Sequence, residues 1–189
     1  TTVEELIPLT NPHISRLFND NYLEIESKAE INRSETAALV TVLLFDDPGQ
    51  SELFNAYFQP PGQFQSGNTS LAQSDVPDSH WANDAIHSAV GSGILELDAD
   101  NLFRPEQPFT RLGFVYMLQE LLLTIVKEPD LGSRYFGRGE SFSDLNSSHW
   151  AYNAARLAMD YGLVQPLGPS VFGINENVSA IDVIEALES

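Results

Sequence analysis

Apolar residues recur at helical spacing in two windows of this chain, and in each window a loop separates one apolar run from the next. In the first, Trp81, Ala85, Ile86, Ala89 and Val90 follow helical spacing until Gly91 and Gly93 end the helix, and Asp78 and Ser79 stand before it as candidate N-caps. A loop with Pro105 and Pro108 follows. Thr110 is then placed to cap a second helix with Phe114, Val115, Leu118, Leu121 and Leu122 on its buried side. The second window repeats the first 69 residues later without a gap. Asp75-Val76, His80-Trp81-Ala82, Gly93-Ile94, Phe103 and Phe109-Thr110-Arg111 face Asp144-Leu145, His149-Trp150-Ala151, Gly162-Leu163, Phe172 and Val178-Ser179-Ala180. Two copies at one offset predict a mostly α repeat architecture, in which helix-loop-helix units bury their apolar faces against each other. Residues 75–118 and 144–187 are expected to superpose, with little strand.

The flanking stretches carry a weaker echo. In residues 1–45, Ile31-Asn32-Arg33-Ser34-Glu35 reproduces the start of the second helix, and Ile14, Leu17, Phe18, Tyr22 and Leu23 make an apolar face, but the His-Trp-Ala piece is missing. This reads as a degenerate first copy. Residues 46–74, rich in Gln, Gly, Pro, Ser and Asn, form a connector with a short helix expected at Ser51–Phe58. The domain order is therefore 1–45, connector 46–74, repeat 75–127, connector 128–143 and repeat 144–189. The second connector holds Arg134, Tyr135, Phe136 and Arg138 between glycines.

With 189 residues, 42% of them hydrophobic, the chain can bury a substantial core. No apolar run approaches the length of a membrane span, the longest being Ala37 to Phe45. Thr1-Thr2-Val3-Glu4-Glu5 is not a signal peptide, which leaves open whether a leader or a longer parent was removed. Nine Lys and Arg stand against 27 Asp and Glu, a net charge of −18 that repels phosphate backbones and anionic membranes. Nucleic acid and membrane insertion are accordingly excluded as partners. The chain has no cysteine, so disulfides and thiolate chemistry are absent, which fits an extracytoplasmic protein.

Asp75-Val76, His80-Trp81-Ala82, Gly93-Ile94, Phe103-Arg104-Pro105 and Thr110-Arg111 together resemble the S-layer homology family of cell-surface anchoring domains. The resemblance implies a pseudo-threefold helical bundle of three repeats, an extracytoplasmic place on the cell surface or envelope, and binding to an anionic cell-wall polysaccharide. The histidines offer no catalytic reading, no phosphate-cradling glycine loop or G-x-S-x-G occurs, and neither catalysis nor a cofactor is expected.

Site residues follow from what the copies share. Arg33 and Arg111 place a cation against the positive end of a helix dipole, which calls either for an acidic partner within the protein or for an anion bound by the guanidinium and the helix end. Trp81 and Trp150 are either core anchors or sugar-stacking platforms. Asp75 and Asp144 would hold the opening turn of each unit. Ala180 stands where the third arginine is expected, so two grooves at most can bind in the family's manner. His80 and His149 read as structural groups at helix starts. Asp98-Ala99-Asp100-Asn101 lacks the sixth-position glycine and closing glutamate of a calcium loop, and no metal site is expected. The competing class is a protein–protein assembly module, docking an envelope protein on a scaffold that has lost glycan binding. Oligomeric state is open.

Overall fold

A computed structural model describes residues 24–46 and 75–189. The apolar face at Ile14 to Leu23 and the helix expected at Ser51–Phe58 lie outside the described residues. Among these residues the regular structure is helical: α1 (Arg33–Thr41, continuing as a π-helical turn over Val42–Asp46), α2 (Asn83–Gly91), α3 (Arg111–Val126), a 3₁₀ turn at Leu131–Ser133, α4 (Tyr152–Asp160) and α5 (Ala180–Glu188).

The helix starts obey their sequences in part. Asn32 and Ser179 each close a capping box, with Glu35 and Asp182 returning the bond to the cap amide. Thr110 occupies the N-cap of α3, but its side chain makes no capping bond. Chain from the next unit supplies acceptors instead: the Arg111 and Leu112 amides donate to Glu176 O and Ile174 O at 2.8 and 2.9 Å. The Arg33 and Ser34 amides likewise donate to Gln107 O and Pro105 O, and the Ala180 amide to Lys28 O. Each second helix thus takes part of its N-terminal capping from a different unit.

Three of these links close on themselves. The Phe109 amide donates to Ile31 O, the Val178 amide to Phe109 O and the Ile31 amide to Val178 O, each at 2.9 Å. The three residues are buried. A cycle of this kind requires three equivalent segments about one axis, so the helix starts at Asn32, Thr110 and Ser179 are related by a pseudo-threefold. Helix packing follows the same rotation in two places, α1 lying on α2 and α3 on α4, a second helix on the first helix of the following unit, and α5 packs on α1. The close partners of a second helix therefore come from neighbouring units. The core runs through Leu39, Ile86, Phe103, Phe114, Leu118, Tyr152, Phe172 and Val183 in one continuous cluster.

One sequence expectation fails. Asp78 and Ser79 do not cap α2, which begins at Asn83 after a turn. His80 does that work locally: its Nδ1 accepts the Ala82 amide at 3.2 Å, and His149 Nδ1 accepts the Ala151 amide at 3.1 Å. Trp81 and Trp150 consequently sit in the turns before the helices, 40% and 56% exposed, and are not core anchors.

Candidate functional site

The two arginines are more buried than a first-turn cation on a solvated helix. Arg33 donates from Nε to Phe103 O at 2.6 Å and from Nη2 to Glu96 O at 2.5 Å, with its guanidinium 4.7 Å over the Phe103 ring. Arg111 repeats the arrangement one unit on. It is 7% exposed, donates from Nη2 to Gln165 O at 2.7 Å and lies 4.8 Å over Phe172. Its Nε is buried without a hydrogen-bond partner. Among the described residues neither guanidinium is in an ion pair. Burial pushes both guanidinium pKa values down; Asp182, Asp144 and Glu176 oppose the shift at Arg111, and Asp98 and Asp75 oppose it at Arg33. Each arginine thus joins its own unit to the Phe103 or Phe172 loop of the next through carbonyls and a ring face, a role the two sequence alternatives did not include.

The loops that receive them are held by the aspartates. Asp75 accepts the Phe103 and Arg104 amides at 3.0 and 2.6 Å, and Asp144 accepts those of Phe172, Gly173 and Ile174 at 2.8, 2.6 and 2.9 Å. Burial pushes the Asp144 carboxyl up, but the three amides outweigh it and hold the group below the usual carboxylate range. Such a grip needs a left-handed residue in the middle of the loop. Gly173 takes it at φ 83°, and Arg104, in the same repeat position, takes it at 55°. Arg104 then pairs with both Asp98 and Asp100. A guanidinium therefore sits where a calcium loop would place its ion, and no group of His, Asp or Glu suited to a metal occurs among the described residues.

Grooves open where units meet. The first, about 290 Å³, is lined by Arg33, the 94–98 loop, Phe109, Leu112, Gly113, Tyr116, Met117 and Trp150. Trp150 stacks on His149 and meets the Tyr116 ring edge-on at a centroid distance of 5.7 Å. The second, about 360 Å³, is lined by Arg111, Phe114, the 162–167 loop, Asp182, Glu185 and Ser189. The two correspond: Arg111 takes the place of Arg33, the 162–167 loop that of 93–98, and Asp182 and Glu185 those of Gly113 and Tyr116.

Residues 74–112 match the family model described as the S-layer homology domain. That stretch is similar to an S-layer homology domain. This module is non-catalytic and anchors proteins to the cell wall, and its proteins are associated with the cell surface and envelope. The chain is also 33% identical over 107 residues to endo-1,4-beta-xylanase A of Thermoanaerobacterium saccharolyticum. The match covers 57% of this chain and 8% of that protein. No helix among the described residues is long and apolar enough to cross a membrane.

Within the S-layer homology fold, the structure brings Arg33 and Trp150 to one groove, places Arg111 in another and leaves Trp81 outside both linings. Gly113 and Tyr116 were missed by sequence reasoning. The 69-residue offset sets them against Asp182 and Glu185, and that contrast was the available signal. The basic connector also changes character. Arg134 pairs with Glu128 and Asp130, and the Tyr135 hydroxyl donates to Asp160, while Phe136 stays exposed.

Proposed function

We propose that this chain anchors a surface-layer or envelope protein by binding an anionic cell-wall polysaccharide in grooves between its repeat units, without catalysing any reaction on it. The observation that supports this most is the groove at Arg33. A guanidinium with no carboxylate partner among the described residues stands there beside the exposed indole of Trp150 and the ring of Tyr116. A guanidinium suits an acidic substituent by charge-assisted hydrogen bonds, and an indole face suits the apolar face of a pyranose ring. Asp75 and Asp144 serve the grooves by fixing the Phe103 and Phe172 loops, over whose rings the two guanidinium groups lie. Ala180 in the third arginine position and the high negative charge favour the competing reading, an assembly module that docks an envelope protein. Cosedimentation with purified sacculi, before and after removal of their secondary polymers, separates the two. Binding that depends on the polymers is the expected result; equal binding to stripped sacculi, or none to either, would refute the glycan reading.

A further inference from the structure

The two junctions whose walls are described are built alike and furnished differently. The rotation fixes what meets at each: the arginine position of one unit, the loop and second helix of the next, and the tryptophan of the remaining one. At the first junction these are Arg33, the 94–98 loop, Tyr116 and Trp150. At the second they are Arg111, the 162–167 loop, Asp182 and Glu185. No indole lines that groove, because the chain has two tryptophans and neither is among its walls. At the third the arginine position holds Ala180, and Trp81 is the tryptophan that the rotation assigns there. Of the two grooves, only the first brings guanidinium and indole together among the described residues.

Charge deepens the difference. The acids lining the Arg33 groove are Asp98, which is tied to Arg104, and Glu96. Tyr116 stays a neutral phenol, since burial raises its pKa and Glu96 and Glu120 add to the shift. At Arg111 the same wall positions are carboxylates. Asp182 accepts the Ser179 amide and hydroxyl at 3.0 and 2.6 Å. An anion entering there would face Asp182 and Glu185 against a single guanidinium, with no second cation in the lining.

We infer that the chain holds the acidic group of its glycan at one site, the junction of Arg33 with Tyr116 and Trp150, and that Asp182 and Glu185 close the Arg111 junction to anions. The inference rests on the glycan reading above. Its test combines sacculus cosedimentation with an NMR titration in which D-glucuronate is the anionic probe and N-acetylglucosamine the neutral control. Trp150→Ala, at a half-exposed ring, is expected to weaken sacculus binding about tenfold or more while the protein stays folded, and Trp81→Ala to change it less than about twofold. Glucuronate is expected to shift amides at Glu96 and Gly113 and to leave Gln165 and Asp182 in place. In the Asp182→Asn, Glu185→Tyr double variant a second set of shifts should appear at Gln165. Glu185→Gln alone, at an exposed position, serves the same purpose should the double variant unfold.

Equal losses from Trp81→Ala and Trp150→Ala would overturn the inference. So would glucuronate shifts at both junctions of the wild type, at neither, or only at Gln165, and so would a double variant that gains no second site. Wild-type protein that ignores sacculi altogether defeats the glycan reading itself, a result distinct from any of these.

Discussion

Asp144→Asn is the most informative single perturbation of the fold that builds the groove walls. The carboxylate accepts three amides, Phe172 on one oxygen and Gly173 and Ile174 on the other. A carboxamide has one acceptor oxygen, so at least one amide loses its partner and faces an NH₂ group, while the remaining bonds lose their charge. Counting about 1.5–3 kcal/mol for the lost charge-assisted bond and about 0.5 kcal/mol for each weakened one gives roughly 2–4 kcal/mol. For a chain of this size that corresponds to a fall in Tm of roughly 5–15 °C. The pH dependence follows from the sign of the shift. The folded-state pKa of Asp144 lies below its ordinary value, so the stabilisation is complete above about pH 4–5, where the unfolded carboxyl is ionised, and disappears as pH falls through the folded value. Melting curves of wild type and variant at pH 7 and pH 3 should differ widely at the first and converge toward the second. A variant that melts within a degree of wild type at pH 7, or a gap that is the same at both pH values, would refute the account of the loop.

Arg111→Ala should destabilise the fold by about 1–3 kcal/mol: the Gln165 bond and the Phe172 contact are lost, while relief of the buried charge and its unpartnered Nε offsets part of that. A thermal melt with no change would refute the bridging role of Arg111. Asn153 donates to Gln119 Oε1 and Leu131 O and accepts the Tyr135 amide, all at 2.7–3.0 Å, so Asn153→Ala should cost about 2–4 kcal/mol in chemical denaturation. A loss under about 0.5 kcal/mol would mean that water replaces the network. Burial, with Glu188 adding, raises the pKa of Glu26, whose Oε1 is buried without a partner. A raised folded pKa favours folding below the unfolded value near 4.3 and loses that contribution as pH rises. Glu26→Gln should therefore raise Tm at pH 7 and lose the gain below about pH 4; a gain that persists in acid would contradict the sign.

Periodicity and spacing were enough to reveal the repeats, because each unit spends its apolar residues, its helix-ending glycines and its capping residues on local structure. The boxes at Asn32-Glu35 and Ser179-Asp182 and the left-handed turn at Gly93 are bonds and angles within a few residues, and a linear string carries them. The aspartates were also legible as turn-holders, although their amide partners lie 28 to 30 residues further along. Arrangement about the axis was not legible. The helical patterns of the second helices gave no sign that their close packing partners lie in other units, or that Arg33 would share a groove with Trp150, 117 positions away along the chain. Taken unit by unit, the sequence places Arg111 with Trp81 and leaves Arg33 with no indole. The rotation breaks that pairing, because each unit caps and covers its neighbour. The burial of the arginines has the same origin: a cation at a helix start is exposed on an isolated helix and becomes buried when the next unit's carbonyls and aromatic ring close over it. Local chemistry was thus set by sequence, and the company each side chain keeps was decided by threefold closure.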